Sequence, residues 1–301
     1  MAKRLPRISI VTPSFNQGQF LDETMRSVLE QAYPDLEYVV MDGGSSDASV
    51  DIICKYADRL THWTSAKDEG HYAAIVKGFS LTSGDVMAWI NSDDKYVPWA
   101  FSVVAEIFAT FPKVEWLTSA FPMHWDRYGR AVKCAYAGGF NRRAFLAGSN
   151  LPRGRWHVGP FIQQESTFWR RSLWDRAGAM IDNSSIAGDF ELWARFFGQA
   201  QLYSVDVPLS GFRVHGNQIS VQRQDEYLAA GEAILERNGG RRAGPVRRLL
   251  RAALHQGFGG RPLYELPRPL SRVLTTAGLL NCAPMCRWND DRWQLVDNHI
   301  F

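Results

Sequence analysis

The chain has 301 residues, of which 46% are hydrophobic and 22% are charged, and its formal net charge is +3. This composition fits a globular protein that can build a large core. No stretch approaches the roughly 20 continuous apolar residues of a membrane span, and the start of the chain lacks the apolar run of a signal peptide. The sequence therefore predicts a cytoplasmic protein.

The first 97 residues predict alternating strands and helices. Apolar runs rich in β-branched residues predict strands at 8–12, 38–41, 60–64 and 86–90. Between them, apolar residues recur at helical spacing in 21–29, 50–54 and 74–79. Such alternation is typical of a parallel α/β sheet flanked by helices.

The second part of the chain predicts a mixed arrangement. A helix opens at Pro98 and runs to about residue 111. The elements expected after it are antiparallel strands near 116–121 and 132–136, a Gly- and Pro-rich loop over 138–160, helices near 170–178 and 189–198, and short strands at 202–205 and 211–215. We expect one domain over 1–222, with halves 1–97 and 98–222, and a separate extension over 223–301 that is helical at first.

The extension carries the positive charge of the chain. Residues 237–272 contain nine arginines and one acidic residue, so the rest of the chain is net acidic. The four cysteines of the chain form no CxxC pair and accompany no histidine cluster, which argues against a zinc site or a disulfide framework.

Polar loops follow each of the first four predicted strands. Their sequences are TPSFN, DGGSSD, SAKDEG and NSDD. Ligands of parallel α/β sheets bind at the carboxyl ends of the strands, where such loops converge. The acids Asp42, Asp68, Asp93 and Asp94 would repel one another there unless a cation or hydrogen-bond donors lay among them.

The NSDD loop by itself allows two interpretations. Asp and Asn side chains commonly form turns and cap helices, and a helix follows at Pro98. Alternatively, hard carboxylate oxygens at a strand end hold Mg²⁺ or Mn²⁺, which keeps positions open for phosphate oxygens.

An ordered set of blocks resembles the family 2 glycosyltransferases of the GT-A fold. The blocks span residues 7–221 and read TPSFNQGQFLDETMRSVLEQ, EYVVMDGGSSDASVDII, DEGHYAAIVKGFSLTSGDVMAWINSDD, QQESTFWRRSLWDRAG, GDFELWARF and FRVHGNQIS. The resemblance implies a mostly parallel GT-A sheet with a small antiparallel part, a nucleotide-binding half over 1–97 and an acceptor half over 98–222. It also implies a nucleoside diphosphate sugar as donor, Mn²⁺ or Mg²⁺ as cofactor, and transfer with inversion.

Site residues follow from the same resemblance. It implies that Asp93 and His215 bind the metal ion and that Asp189 is the general base. The resemblance also implies that the nucleoside is surrounded by Thr12, Pro13, Ser14, Asp42 and Asp68. The other residues implied at the donor site are Asn91, Ser92, Asp94, Gln164 and Arg213. Gln164 would contact the donor sugar or the acceptor, and Arg213 would contact phosphate.

Two departures from the family pattern concern the donor site. Asn91 stands where the family's Asp-x-Asp element has its first acid, which places more of the metal binding on Asp93 and His215. Ala73 and Val76 stand where Asp and Asn are usual. Asp189 itself also has a second interpretation, as the N-cap of the helix that it begins.

The predicted function is a metal-dependent glycosyltransferase that uses a UDP-sugar to build surface polysaccharide on a glycan or a lipid-linked acceptor. A nucleotidyltransferase fits the sequence less well. Such an enzyme normally has a basic phosphate-binding loop after the first strand, whereas TPSFNQGQF contains no Lys or Arg. A further alternative is a catalytically weak protein that binds a nucleotide sugar, or that binds membranes or nucleic acid through the arginines. These arginines are not interleaved with aromatic residues, which argues against nucleic acid.

The segment VRRLLRAALHQGF, which begins at Val246, predicts a basic amphipathic helix. Its apolar stripe comprises Val246, Leu249, Leu250, Ala253 and Leu254. The stripe either packs on the rest of the protein, or lies on an anionic membrane as a peripheral anchor.

Overall fold

The structure is a computed structural model, which describes residues 4–151, 160–216, 218, 222–240, 244–246, 249–250, 253–254, 268–277 and 279–300. Its helices are α1 (Gly18–Leu29), α2 (Ser49–Lys55), α3 (His71–Ser80), α4 (Ala100–Thr110), α5 (Arg142–Leu146), α6 (Arg171–Arg176), α7 (Gly188–Gln199), α8 (Gln224–Arg237) and α9 (Arg268–Thr276). Short 3₁₀ turns lie at Ala57–Arg59 and Gln164–Ser166.

The strands are β1 (Ile8–Ser14), β2 (Leu36–Asp42), β3 (His62–Ser65), β4 (Val86–Trp89), β5 (Lys95–Tyr96), β6 (Trp116–Ser119), β7 (Met123–Trp125), β8 (Ala131–Cys134), β9 (Phe168–Arg170), β10 (Leu202–Val205), β11 (Ser210–Arg213), β12 (Asn281–Asn289) and β13 (Arg292–Ile300). Within the described ranges they form two sheets. The larger has the order β13-β12-β10-β6-β9-β4-β1-β2-β3, and the smaller has the order β5-β11-β7-β8.

The first four strands are parallel and end at one edge of the large sheet. Ser14 at the end of β1 pairs with Asp42 at the end of β2, which pairs in turn with Ser65 at the end of β3. On the other side of β1, Val11 pairs with Trp89, the last residue of β4. The polar loops predicted to carry the site therefore leave the sheet side by side.

The large sheet lies between two apolar layers because its side chains alternate between its faces. Ile8 and Ile10 of β1 pack in the layer that contains α1, α2 and α4. Val11 of the same strand packs in the opposite layer, against residues of α3, α6, α7 and α8. This architecture, with helices covering both faces of a mostly parallel sheet, confirms the predicted α/β class.

The two strands predicted near 116–121 and 132–136 lie in different sheets, and each has an antiparallel neighbour. Strand β6 belongs to the large sheet, and β8 pairs with β7 in the small one. The antiparallel neighbour of β6 is β9, whose three residues precede the helix predicted over 170–178. Such a short strand has no periodicity to show in the sequence.

The described parts of the predicted extension over 223–301 begin with a helix, as expected, and pack on the rest of the protein. Helix α8 contacts α7, and β12 pairs with β10 in the large sheet through Ser204 and Met285. The predicted boundary at residue 222 therefore cuts through one packed unit. The two final strands are nine residues each and pair with each other in antiparallel register.

The apolar stripe of the amphipathic segment is mostly exposed at its described positions. Val246, Leu249 and Leu250 are 68%, 50% and 49% exposed, whereas Leu254 is partly buried. Packing on the protein and binding to a membrane both stay predictions for this stripe. The arginines at 247, 248 and 251 lie outside the described residues. Among the helices that the structure describes, none has the length and apolar character required to cross a membrane.

Candidate active site

The NSDD loop is a tight turn that joins β4 to β5. The amide of Asp94 donates to the carbonyl of Asn91 at 3.1 Å. The hydroxyl of Thr24, on α1, donates to the carbonyls of Ser92 and Asp94 at 2.9 and 2.6 Å. These carboxylates do not cap the following helix, because α4 begins at Ala100 without a side-chain cap.

The two adjacent aspartates have different environments. Asp94 is fully buried and accepts hydrogen bonds from the backbone amide of Arg213 at 2.7 Å and from the Asn91 side chain at 3.5 Å. Burial, together with the charges of Asp93 and Glu165, raises the pKa of Asp94 well above its usual value. The Asp93 side chain remains 17% exposed, so it is the carboxylate of this loop that a ligand can reach.

His215 lies in the loop after β11 of the smaller sheet and contacts Asp93. Its Nε2 lies 3.0 Å from Asp93 Oδ2, and its ring lies 4.7 Å from the ring of Phe20. The side-chain oxygen of Gln218 accepts the amides of His215 and Gly216 at 3.3 and 3.1 Å, which shapes the loop after β11. Gly216 has a φ of +83°, a conformation that favours glycine.

Arg213 does not fit the predicted phosphate contact. Its side chain is 1% exposed, and its guanidinium donates to Glu23 at 2.7 Å and to the carbonyl of Asp93. Glu23 also binds Lys95 at 2.6 Å. The guanidinium therefore joins α1 to the NSDD loop from inside the protein, where a diphosphate cannot reach it.

The donors around Asp93 fit a hard divalent cation that keeps most of its positions for other ligands. Asp93 offers a carboxylate oxygen, His215 offers an imidazole nitrogen, and the buried Oδ1 of Asn91 has no hydrogen-bond partner. In the described ranges, no three His, Cys, Asp or Glu side chains come together as a metal-binding group. Ions such as Mn²⁺ and Mg²⁺ take oxygen ligands from water and phosphate, so few protein donors suffice.

Two residues predicted to contact the nucleoside have structural roles. The hydroxyl of Thr12 is buried and lies 3.0 Å from the hydroxyl of Tyr38. Asp42 is 1% exposed, and its carboxylate accepts hydrogen bonds from Gly44, Ser45 and Ser65. The predicted direct contacts of Thr12 and Asp42 therefore do not fit, because these side chains already have partners inside the protein.

Other side chains at the same edge are available. The buried hydroxyl of Ser14, which follows the buried Pro13, has no hydrogen-bond partner, and Asp68 is exposed. Next to Ser14, the ring of Phe15 is 61% exposed. A side chain at Gly43 would lie 3.1 Å from the Asp68 carboxylate and 3.4 Å from the Phe15 ring, so glycine keeps this space open.

Phe15 is a candidate that the sequence analysis missed. An aromatic residue in a loop that follows a buried strand is usually assigned to the core. Its exposure beside Asp68 became visible only in the structure.

Asp189 lies in the first turn of α7 and does not cap it. The N-cap position is Ala187, and no side chain caps this helix. Instead, Oδ1 of Asp189 accepts hydrogen bonds from the amide of Phe190 at 2.8 Å and from the hydroxyls of Tyr227 and Tyr72 at 3.1 and 3.5 Å. Among the described residues, no donor contacts Oδ2.

The environment of Asp189 suits a base. The residue is 9% exposed, and burial raises its pKa to about 6, although the hydrogen bonds from Phe190 and Tyr227 oppose this shift. A pKa near the working pH is favourable for proton transfer. The preceding Gly188 is required by packing, because a side chain there would approach the Tyr72 ring to 2.6 Å.

A further buried carboxyl lies near both Asp93 and Asp189. Glu165 is 3% exposed, and its Oε1 has no hydrogen-bond partner. Burial and the charges of Asp93 and Asp189 raise the pKa of Glu165 to about 8. Its neighbour Gln164 donates to the carbonyl of Trp89 at 2.6 Å, and the side-chain oxygen of Gln164 is also unpartnered.

The chain is similar in sequence to known glycosyltransferases. The model of Glycosyl transferase family 2 matches residues 9–145. An uncharacterized glycosyltransferase of Mycobacterium tuberculosis is 27% identical over 191 residues, which make up 63% of this chain and 68% of that relative.

Two solved structures share the fold. The structure of S. aureus TarS 1-349 in complex with UDP-GlcNAc has a TM-score of 0.58 at 15% identity, and the match covers 84% of this chain and 73% of that one. The mannosyltransferase PcManGT from Pyrobaculum calidifontis, in complex with GDP-Man and Mn²⁺, also has a TM-score of 0.58 at 16% identity, over 91% of this chain and 80% of that one. The chain is therefore similar to glycosyl transferase family 2 over residues 9–145, and it shares the fold of these two structures.

Proposed function

We propose that this glycosyltransferase moves a sugar from a UDP-sugar to a hydroxyl group of a glycan or a lipid-linked acceptor, with inversion at the anomeric carbon. The observation that carries the proposal is the state of Asp189. One of its oxygens is held by three donors, while no donor in the described ranges contacts the other. Such a carboxylate, buried at the edge of the sheet that carries Asp93, is suited to take a proton from an acceptor.

The donor would lie across the carboxyl ends of β1 to β4. The exposed ring of Phe15 and the carboxylate of Asp68 offer a stacking surface and a hydrogen-bond acceptor for a nucleoside, and Ser14 offers a hydroxyl without a partner. UDP is supported by the complex of TarS with UDP-GlcNAc. The complex of PcManGT contains GDP-Man, so the nucleobase needs a direct test.

Asp93 and His215 would hold Mn²⁺ beside the diphosphate, with Asn91 as a nearby oxygen donor. The bound cation would neutralise charge on the leaving UDP. The presence of Mn²⁺ with the PcManGT complex supports this choice of metal. Because His215 Nε2 and Asp93 Oδ2 lie 3.0 Å apart, a cation bound between them would take the place of this direct contact.

The transfer step follows from these positions. The acceptor oxygen attacks the anomeric carbon from the face opposite the diphosphate, and its proton passes to Oδ2 of Asp189. The bond between the anomeric carbon and the phosphate oxygen breaks, and UDP leaves with the electron pair. Glu165, held neutral by burial below a pKa of about 8, would donate a hydrogen bond to a sugar or acceptor hydroxyl rather than remove its proton.

The lipid-linked acceptor is proposed because of the apolar stripe of the amphipathic segment. Val246, Leu249 and Leu250 are apolar and exposed in a segment whose sequence also contains three arginines. An amphipathic surface of this kind lies on anionic membranes, where lipid-linked acceptors are found.

The proposal is tested by a screen of UDP- and GDP-sugars with the full chain, with and without Mn²⁺. We expect metal-dependent release of UDP from one or a few UDP-sugars and thermal stabilisation by the same donors. Release of GDP from GDP-sugars, with no release of UDP from UDP-sugars, would show that the donor is a GDP-sugar. Release from no nucleotide sugar, together with no thermal stabilisation, would contradict the proposed donor class.

A further inference from the structure

The hydroxyl of Tyr227 reaches Asp189 from a part of the chain outside the family match. Tyr227 lies on α8, whereas the family model covers residues 9–145. Its hydroxyl donates to Oδ1 of Asp189 at 3.1 Å across 38 residues of sequence. The side chain is 5% exposed, and its ring lies 6.0 Å from that of Phe161.

Close packing fixes α8 at this place. A side chain at Gly231, one turn after Tyr227, would approach Leu151 to 2.3 Å, so glycine permits the contact. Ile234 and Leu235 of the same helix are buried in the layer that contains α7. Tyr227 is therefore held by a rigid helix and not by a loose tail.

Tyr227 and Tyr72 act on the same oxygen of Asp189 from two different helices. Tyr72 is on α3, and its hydroxyl lies 3.5 Å from Oδ1. The Tyr72 hydroxyl lies nearer, at 3.3 Å, to the carbonyl of Ile186, so the Phe190 amide and Tyr227 are the main donors that fix the rotation of the carboxylate. The other oxygen, Oδ2, is then directed away from them.

We propose that Tyr227 is a positioning residue that orients Asp189 so that Oδ2 faces the acceptor hydroxyl. This inference rests on the proposed role of Asp189 as the base. It also gives the C-terminal part of the chain an indirect role in catalysis, because α8 carries Tyr227.

The ionisation states agree with this role. Burial and the charge of Asp189 raise the pKa of Tyr227 well above its usual value, so the phenol stays protonated and remains a donor. The titratable groups that face Asp189 within the described ranges are Tyr72, Tyr227 and Glu165. Glu165 is neutral in the acidic range in which Asp189 titrates, because its pKa is raised to about 8.

The hydrogen bond from Tyr227 to Asp189 determines the direction in which the pKa of Asp189 should change in Tyr227→Phe. A donor to the ionised carboxylate favours that form, so its removal raises the pKa of Asp189. For Tyr227→Phe we expect the acid limb of the kcat/KM profile to move up by about one pH unit. Tyr72→Phe is expected to move it by less, because its hydrogen bond is longer.

The matched control is Tyr33→Phe. The Tyr33 hydroxyl also donates one hydrogen bond, to the carbonyl of Pro6 at 2.5 Å, in the opposite layer of the protein. This variant loses the same atoms and is expected to keep the wild-type pH profile. An equal shift in Tyr33→Phe and Tyr227→Phe would overturn the inference, because the shift would then be a general effect of losing a hydroxyl.

A second measurement does not depend on activity. The carboxyl carbon of ¹³C-labelled Asp189 is titrated by NMR in the full chain without donor, in the wild type and in Tyr227→Phe. A higher midpoint in the variant supports the inference, and an unchanged midpoint overturns it. If Tyr227→Phe does not fold, 3-fluorotyrosine incorporated at position 227 gives a stronger donor of nearly the same size, and the midpoint must then fall.

Failure of this inference is distinguishable from failure of the proposed function. If Asp189→Asn loses activity while the midpoint is the same in Tyr227→Phe and the wild type, only the role of Tyr227 is wrong. If Asp189→Asn retains activity, the proposed base is wrong, whatever the NMR titration shows about the hydrogen bond.

Discussion

The imidazole Nε2 of His215 lies 3.0 Å from Oδ2 of Asp93, so the loops that follow β11 and β4 meet at one partly exposed carboxylate. These residues are 122 positions apart in the sequence and come from different sheets. The contact places the small sheet against the edge at which β1 to β4 end. The contact also brings the two proposed metal ligands together, and the first prediction below concerns the metal ion that they would hold.

Mn²⁺ and UDP are expected to bind together. The diphosphate supplies the ligands that Asp93 and His215 do not, so saturating Mn²⁺ should increase UDP affinity at least tenfold in calorimetric titrations. His215→Gln should remove most of this gain, whereas His62→Gln, an exposed histidine on β3, should keep it. Equal UDP affinity with and without Mn²⁺ in the wild type would exclude the metal site.

Asp189→Asn should abolish most of the turnover. The amide keeps the shape of the side chain but cannot take the proton, so we expect kcat to fall at least about a hundredfold while donor affinity stays within a few fold. The matched control is Glu191→Gln on the same helix, since Glu191 binds Arg195 at 3.0 Å. Near-normal turnover in Asp189→Asn would show that Asp189 is not the base, and Glu165 and Glu191 would then be the candidates.

The activity should depend on pH through Asp189. Burial raises its pKa to about 6, and the base acts only when it is ionised. The value of kcat/KM is therefore expected to fall about tenfold for each pH unit below 6 and to level off above it. Glu165→Gln should leave this midpoint nearly unchanged, because Glu165 is already neutral there. An acid limb centred near pH 4 would show that the group is not buried during catalysis.

Arg213→Met should destabilise the protein more than it affects donor binding. The substitution removes a buried partner of Glu23 and of the Asp93 carbonyl, a change that typically costs about 3 kcal/mol. Urea unfolding measures this cost, and Lys55→Met, which removes an exposed pair with Asp22, should hardly change the midpoint. If Arg213→Met had wild-type stability but a large loss of UDP affinity, Arg213 would contact phosphate as the sequence predicted.

The exposed stripe should bind anionic vesicles. The full chain is expected to sediment with anionic vesicles at low salt, less at high salt, and little with neutral vesicles. Leu249→Glu with Leu250→Glu should reduce this binding at least fivefold, because both residues are exposed in the stripe. The control is Val132→Glu, a residue of β8 that is 60% exposed outside the stripe.

Two results would exclude the membrane role. The first is equal and negligible binding of the folded full chain to neutral and anionic vesicles. The second is unchanged binding in the double variant. A chain truncated near residue 222 is not a suitable control, because β12 belongs to the large sheet.

The sequence by itself determined the parts of this protein that depend on local pattern. The alternation of apolar runs and helical stripes predicted β1 to β4 and α1 to α3, because the strand and helix periods are properties of neighbouring residues. The order of the polar blocks identified Asp93, Asp189 and His215 as candidates. Strands that end at one edge of a parallel sheet bring their loops together, so the place of the site also followed from the pattern.

Only the tertiary structure decided which of the candidate side chains are available to a ligand. Arg213 and Asp42 are polar residues in the expected loops, yet each is held by partners inside the protein. Tyr227 lies on a helix that the sequence assigned to a separate extension, and its hydroxyl nevertheless contacts Asp189. Partners such as Arg213 and Glu23 are 190 residues apart, and the packing of helices on the sheet brings them together in a way that no local spacing records.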